Sequence, residues 1–182
     1  MLAPDRPPIV LEPFTRDDFA RLLSWVPDEV AMFRWAGSIF EWPLTESQLE
    51  AYVTPTAEHP PTRLIWRTLD VASGEAVGHV ELNSIDHRQR STTLSRVLIG
   101  PPYRGRGLSY AMVDAVLPIA FNDLGLHRVD LRAFEDNEPA RRCYESLGFK
   151  REGLLREVAI IDRAFVDSLV MSLLEDEWRG RG

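Results

Sequence analysis

The residues with the clearest chemical potential lie in a glycine-rich turn between a strand-like and a helix-like segment. The apolar run Val97–Ile99 leads into this turn, Gly105 and Gly107 stand within it, and a helical pattern begins at Leu108. Glycines let consecutive backbone N–H groups point into one concavity, and a helix N-terminus adds about half a positive charge. The segment therefore predicts an anion site suited to a diphosphate.

Two familiar phosphate-binding patterns do not fit this turn. A dinucleotide-binding GxGxxG turn would need glycine or alanine at Tyr110, and a GK[ST] loop would need a lysine, whereas Lys150 is the only lysine in the chain. On this segment alone, an ordinary strand-to-helix turn and a nucleotide-binding domain of another kind are the alternatives.

Hydrophobic periodicity and capping residues predict the elements that position this turn. Strands are expected at 9–14, 64–71, 76–85, 91–99, 127–134, 150–161 and 165–174, and helices from 15, over 45–53, over 108–124 and after 137. No repeat or linker divides the chain, so residues 1–182 are predicted to form a single domain. Its fold class is α+β, with a mixed, mostly antiparallel sheet of about seven strands flanked by about four helices.

Composition opposes several classes of function. The 182 residues carry a net charge of -7, which argues against nucleic acid and anionic membranes as partners. Cys143 is the single cysteine, and the four histidines lack metal-ligand spacing, so no disulfide and no metal are expected. The first ten residues do not resemble a secretory signal, and no apolar run reaches transmembrane length, so a cytoplasmic location is expected.

Two motifs, in order and at the right separation, resemble the GNAT superfamily of N-acetyltransferases. Residues 104–109 match its pyrophosphate pattern Gln/Arg-x-x-Gly-x-Gly/Ala, with Ser109 in place of the usual glycine or alanine. Residues 137–149 resemble its Asn-x-x-Ala-x-x-x-Tyr-x-x-x-Gly-Phe helix, with Tyr144 at the tyrosine. The resemblance implies a GNAT-like single domain that uses acetyl-CoA as acyl donor and no metal.

The C-terminal region narrows this resemblance to one branch. The likeness covers roughly residues 64–174, and it is loose over the first sixty. Gly153, Arg156, Asp167 and the tail Glu177-Trp178 resemble the branch that contains the ribosomal-protein N-terminal (alanine/serine) acetyltransferases.

The resemblance implies a role for each part of the two motifs. The strand before the loop would pair with the pantetheine arm, and an N–H near Leu98 or Ile99 would polarise the thioester carbonyl. Tyr144 would protonate the departing thiolate, a half-buried core tyrosine being the alternative. The residues expected to bind the cofactor are Val97, Leu98, Ile99, Arg104, Gly105, Arg106, Gly107, Leu108, Ser109, Asn137 and Arg142.

A general base is missing from the sequence pattern. Thr93 and Arg132 occupy the positions at which members of the family carry a glutamate. Proton removal through water to Glu81, Asp86 or Glu135 is one remaining route, and an acceptor that arrives as the neutral amine is another.

An aromatic segment follows the first predicted helix, where the resemblance implies a wall of the acceptor site. Trp35, Phe40 and Trp42 are the candidate substrate-binding residues, and Glu41 would attract a cationic amine. The alternative is that these aromatic side chains belong to the core.

The sequence thus predicts an N-acetyltransferase that transfers an acetyl group from acetyl-CoA to a primary amine by direct attack in a ternary complex. The amine belongs to a protein N-terminus or to a small molecule such as an aminoglycoside or polyamine, and the acidic chain favours cationic acceptors. A non-catalytic acyl-CoA-binding sensor or interaction domain is the alternative. The resemblance also implies that a homodimer is a common assembly.

Overall fold

One seven-stranded sheet organises the computed structural model, which describes residues 7–181. The strands are β1 (Ile9–Pro13), β2 (Leu64–Asp70), β3 (Ala76–Asp86), β4 (Ser91–Ile99), β5 (Arg128–Phe134), β6 (Lys150–Ile161) and β7 (Ala164–Leu174). Their order is β1-β2-β3-β4-β5-β7-β6, and all neighbours are antiparallel except β4 and β5. The predicted α+β fold with a mixed, mostly antiparallel sheet is confirmed.

Six α-helices lie within residues 7–181, where about four were expected. They are α1 (Phe19–Trp25), α2 (Glu29–Ala36), α3 (Glu46–Val53), α4 (Leu108–Pro118), α5 (Glu138–Ser146) and α6 (Glu175–Arg179). The sequence prediction missed α2 and α6. The start of α2 is marked by Asp28, whose carboxylate accepts the Ala31 N–H at 2.7 Å, a capping contact that follows directly on Pro27.

The helices cover the sheet with two separate apolar clusters. Ile65 and Trp66 are neighbours on β2, yet Ile65 packs with α1, α2 and α3 whereas Trp66 packs with α4 and α5. Because successive side chains of a strand point to opposite faces, the two clusters lie on opposite sides of the sheet.

The sheet opens where its two parallel strands meet. Only Ser91–Thr93 pair with Arg128–Asp130, and beyond that point β4 pairs with β3 alone. The β3–β4 register shifts around Arg96, whose φ of 49° gives β4 a bulge. The strands therefore separate toward their carboxyl ends and leave one edge of β4 unpaired.

Among residues 7–181, none of the helices combines the length and the hydropathy that a membrane-spanning helix needs. The expectation that the first ten residues are not a secretory signal concerns in part residues 1–6, which lie outside the described residues.

Candidate active site

A cleft of about 1100 Å³ fills the gap between β4 and β5, which is at the upper end of the usual size of ligand sites. One wall, which we call the loop side, consists of residues 103–105, residues 107–109 and α5. The opposite wall, which we call the α2 side, consists of α2 and of the side chains that β5 directs toward it. A long ligand can enter along the loop side and meet a second molecule at the α2 side.

Free backbone N–H groups line the loop side. Within residues 7–181, no acceptor takes the N–H groups of residues 104–109. Gly105 and Gly107 have φ of 77° and 74°, and no neighbouring atom lies within 4 Å of where a Cβ would stand. The turn and the N-terminus of α4 therefore form an open cradle with the chemistry that a diphosphate requires.

The side chains of the loop are engaged in different ways. The Arg104 Nε–H donates to the carbonyl oxygen of Ile99 at 3.2 Å, and Arg104 lines the cleft. The Arg106 guanidinium instead donates to Asp70 at 2.7 Å, outside the residues that line the cleft. The cradle thus depends on main-chain groups more than on its arginines.

Helix α5 presents two of the predicted residues to the cleft and turns one away. Asn137 lines the cleft and also caps the helix, its side-chain oxygen accepting the Ala140 N–H at 3.3 Å. Tyr144 is buried at the cleft wall. The exposed Arg142 is paired with Glu138 at 2.5 Å and does not line the cleft, so its contact with a cofactor stays a prediction.

Burial controls the proton chemistry of α5. It raises the pKa of the Tyr144 phenol well above its ordinary value, so Tyr144 holds its proton at neutral pH. Within residues 7–181, the Tyr144 hydroxyl makes no hydrogen bond. Burial also raises the pKa of the Cys143 thiol, against the opposing effect of a hydrogen bond with Ser109, so the neighbouring cysteine is a poor nucleophile.

A hydrogen-bonded bulge of β4 shapes the α2 side. The carbonyl oxygen of Arg96 accepts the Trp35 indole N–H and the His79 Nδ1–H, both at 3.0 Å. Burial lowers the pKa of His79 to about 4, so this imidazole is neutral near pH 7. The left-handed backbone of Arg96 is thus fixed by donors from α2 and β3.

Glu81 lies beneath this bulge in a buried ion cluster. Its carboxylate lies 2.7 Å from Nη1 of Arg96 and 2.9 Å from Nε of Arg63, and it accepts the Tyr52 hydroxyl at 2.5 Å. The Glu81 side chain is 0% exposed. Because its side chain is buried and paired with two arginines, Glu81 supports the fold of the site, and it does not line the cleft.

The carboxylate that sequence reasoning missed is Asp130. It is the one acidic residue that lines the cleft within the described part of the chain. Thr93 faces it across the last paired position of β4 and β5 and donates its hydroxyl to Asp130 Oδ1 at 2.8 Å. The position where the family carries a glutamate thus holds a threonine that orients an aspartate of the next strand. Only the parallel register could have revealed this.

Of the three aromatic residues expected at the acceptor site, the structure brings Trp35 to the cleft wall. Phe40 is buried in the core, where it stacks on Trp35 with ring centroids 5.7 Å apart. Trp42 is 42% exposed and lies outside the cleft. Leu98 also packs into the core rather than the cleft, and its part in the site is confined to its backbone.

Within residues 7–181, no three His, Cys, Asp or Glu side chains are grouped in a way that could hold a metal ion.

Comparison with known proteins gives the class to which this fold and cleft belong. The profile of the acetyltransferase (GNAT) domain matches residues 9–150. The chain therefore belongs to the GNAT acetyltransferase family, which confirms the resemblance drawn from the two motifs.

Individual relatives are similar over part of their length. A spermidine N(1)-acetyltransferase of Vibrio cholerae is 30% identical over 60% of this chain, and a putative ribosomal N-acetyltransferase of Bacillus subtilis is 30% identical over 59%. The alignments span 63% and 58% of those proteins' own lengths. A crystal structure of spermidine N-acetyltransferase from Vibrio cholerae in complex with CoA and spermine has a TM-score of 0.81 at 23% identity, covering 94% of this chain and 98% of that one.

Proposed function

We propose that this protein transfers an acetyl group from acetyl-CoA to the primary amine of a small molecule. The observation that carries the proposal is the separation of β4 from β5, which opens one cleft onto both the free amides of residues 104–109 and the Tyr144 hydroxyl. Family membership and the resemblance to spermidine N-acetyltransferases support the same reaction.

The residues of the cleft fit acetyl-CoA. The cradle of residues 104–109 would hold its diphosphate, because Gly105 and Gly107 line the cleft and no atom lies within 4 Å of where a Cβ of either would stand. The unpaired edge of β4 around Val97 and Ile99 would take up the amides of its pantetheine arm. Acetyl-CoA supplies the activated acyl group, and the protein supplies its orientation.

Proton transfers in the proposed reaction belong to two side chains on opposite sides of the cleft. As the amine nitrogen bonds to the carbonyl carbon and the carbon–sulfur bond breaks, the sulfur takes the proton of Tyr144. Asp130, held by Thr93, takes a proton from the amine. Asp130 then releases its proton to solvent and Tyr144 regains one from it, and an acceptor that arrives as an ammonium gives its extra proton to solvent before the attack. Because the amine attacks the thioester directly, no covalent enzyme intermediate is needed.

A small-molecule acceptor is preferred to a protein N-terminus because the similar proteins named above include spermidine N-acetyltransferases. Because the Bacillus relative is a putative ribosomal N-acetyltransferase, the test also includes a peptide with a free N-terminus. An acyl-CoA sensor without turnover is the outcome that the same test would reveal.

Thiol release from acetyl-CoA in the presence of an amine panel tests the proposal. We expect turnover by the wild type and a loss of about 100-fold or more in kcat for Tyr144→Phe, because general acid catalysis contributes factors of about 10² to 10⁴. Tyr110→Phe on α4, outside the cleft, is the matched control and should retain activity. Equal kcat for Tyr144→Phe and the wild type would refute the role of the phenol.

Ligand binding separates the remaining alternatives. Acetyl-CoA and CoA should raise the melting temperature, whereas NAD and ATP should not. Stabilisation by acetyl-CoA with no thiol release from any amine or peptide would identify a sensor and refute the proposed enzyme.

A further inference from the structure

Two side chains of opposite charge face the α2 side of the cleft from β5. Asp130 and Arg132 are two residues apart, so they lie on the same face of the strand with Cα atoms about 7 Å apart. Phe134 continues this row, and its ring stacks on Phe33 of α2 at 6.2 Å between centroids, which identifies the face. Within residues 7–181, no ion pair joins Asp130 to Arg132.

Other charges at this side of the cleft are neutralised within the protein. The Arg34 guanidinium forms two hydrogen bonds with Asp136, at 2.8 and 3.0 Å, and the Arg96 guanidinium pairs with buried Glu81. The positive charge of each of these arginines is therefore balanced by a carboxylate before any ligand enters.

Asp130 and Arg132 are the other two charged side chains on this side of the cleft, and Asp130 also forms an ion pair with Arg128. Arg128 approaches Asp130 at 3.4 Å but makes its shorter hydrogen bonds, 2.6 and 2.7 Å, to Glu152. The Arg132 side chain is exposed in the cleft and makes no hydrogen bond or ion pair with residues 7–181. A fixed anion and an unpaired cation thus stand side by side where the acceptor must bind.

We propose that this pair selects an amine that also carries an anionic group, with Asp130 facing the ammonium and Arg132 the anion. The inference rests on the proposed acetyl transfer. Guanidinium forks match carboxylate and phosphate alike, so an amino acid and an aminoalkyl phosphate share the required chemistry. The local charges of the cleft therefore override the preference for cationic acceptors that the net charge of -7 suggests.

A polyamine is disfavoured by the same geometry. Its second ammonium would lie beside the Arg132 guanidinium, and like charges at close range raise the free energy of binding. A peptide N-terminus or an amino acid amide offers an ammonium to Asp130 but nothing to Arg132. The acceptor preferred by this chain consequently differs from the spermidine named for its relatives.

Acceptor preference tests the inference directly. At saturating acetyl-CoA, kcat/KM is measured for L-amino acids, their amides, 2-aminoethyl phosphate and spermidine. At least one anionic amine should exceed its uncharged counterpart and spermidine by about tenfold or more, the usual effect of one charge-assisted hydrogen bond. Whichever has the higher kcat/KM, the amino acid or 2-aminoethyl phosphate, identifies the anionic group that Arg132 prefers.

Variants of Arg132 make the test specific. Arg132→Gln should lower the preference for the anionic amine by about tenfold, mainly by raising the KM of that amine. Arg132→Glu should shift the preference toward spermidine. Arg88→Gln removes the same charge from the exposed turn after β3 and should change nothing. Unaltered stabilisation by acetyl-CoA establishes that the variants are folded.

The possible failures can be told apart. Spermidine or an amide turned over as fast as every anionic amine would refute the inference alone, as would an unchanged preference in Arg132→Gln. Absence of thiol release from all amines would refute the proposed function as well.

Discussion

The two sides of the cleft offer their ligands different kinds of groups, main-chain groups on one side and side chains on the other. The loop side offers backbone N–H groups from one contiguous segment, residues 104–109, at the start of a helix. The α2 side depends on side chains from several elements, among them Trp35, His79 and Asp130, held over a buried ion cluster. A main-chain site is fixed by local conformation, whereas a side-chain site is fixed by long-range packing. Substitutions that reach one side should therefore leave the other nearly intact.

Removal of the buried carboxylate is expected to have the largest effect. Glu81→Ala leaves the guanidinium groups of Arg63 and Arg96 without their counter-charge, and breaking a buried ion pair on one side costs about 3–5 kcal/mol. The free energy of unfolding, measured in urea, should fall by that amount. Amine KM should rise more than acetyl-CoA KM, because the bulge at Arg96 loosens while the loop side stays in place.

Glu75→Ala is the matched control, since Glu75 is exposed in the turn before β3. It should change the free energy of unfolding by no more than about 0.5 kcal/mol. If Glu81→Ala were as stable as the wild type, the ion cluster would not be what supports the α2 side.

The pH dependence of stability is the next largest effect. An unfolded imidazole binds a proton below its ordinary pKa of 6.5, whereas buried His79 stays neutral down to about 4. Between these values the unfolded state binds more protons, so the free energy of unfolding falls as the pH is lowered. This difference corresponds to a contribution of up to about 3 kcal/mol, lost progressively from pH 6.5 to pH 4.

Comparison with His79→Asn isolates this contribution. The variant should be less stable at pH 7, because it disturbs the donor to the Arg96 carbonyl, but its stability should fall less between pH 7 and pH 4.5. His87→Asn, at an exposed position, should keep the wild-type slope. Equal slopes in all three proteins would mean that folding does not lower the pKa of His79.

How much the sequence could predict differs between the two sides for the same reason. Each part of the loop side is formed by consecutive residues, so local sequence patterns could reveal it. The spacing of Gly105 and Gly107 indicated the cradle, and the cap at Asn137 indicated the start of α5. The strand Ser91–Ile99 was predicted with its observed bounds. On the α2 side, the sequence pattern correctly placed Trp35 at the cleft. It also predicted Phe40 and Trp42 there, but Phe40 packs in the core and Trp42 is exposed.

The contact between Thr93 and Asp130 depends on a parallel register between strands 37 residues apart in sequence. No local periodicity encodes such a register, because parallel strands are joined by a crossover, here the segment with α4, and not by a tight turn. For the same reason, the bulge at Arg96 and its donors could not be read from the sequence.

A smaller effect should separate local strain from ligand binding on the loop side. Gly107 and Gly74 have φ of 74° and 71°, and at neither position would an added Cβ meet another atom within 4 Å. Alanine at either site should therefore cost a similar amount, about 1–2 kcal/mol, for the left-handed backbone. Only Gly107→Ala adds a methyl group to the cradle, so only this variant should weaken acetyl-CoA binding, on the order of tenfold.

Calorimetric titration with acetyl-CoA and thermal unfolding measure the two quantities separately. If Gly107→Ala keeps the amine preference of the wild type, the loop side and the α2 side of the cleft act independently. An equal loss of acetyl-CoA affinity in Gly74→Ala would show that general destabilisation, and not the cradle, controls binding.

The smallest effect on stability concerns the β6–β7 hairpin, where the predicted homodimer would have an apolar surface available. Ile160 and Phe165 are 61% and 64% exposed on this hairpin, and Val158 beside them also lines the cleft. Exposed apolar side chains that cluster in this way favour association between chains.

If copies associate here, Phe165→Ser should lower the sedimentation-derived mass with a change of less than about 0.5 kcal/mol in monomer stability. It should also raise the KM of the amine but not that of acetyl-CoA, because Val158 of the hairpin lines the cleft whereas the cradle belongs to residues 104–109. An unchanged mass would place any dimer contact elsewhere, and a matching rise in the KM of acetyl-CoA would mean that the two sides of the cleft are not independent.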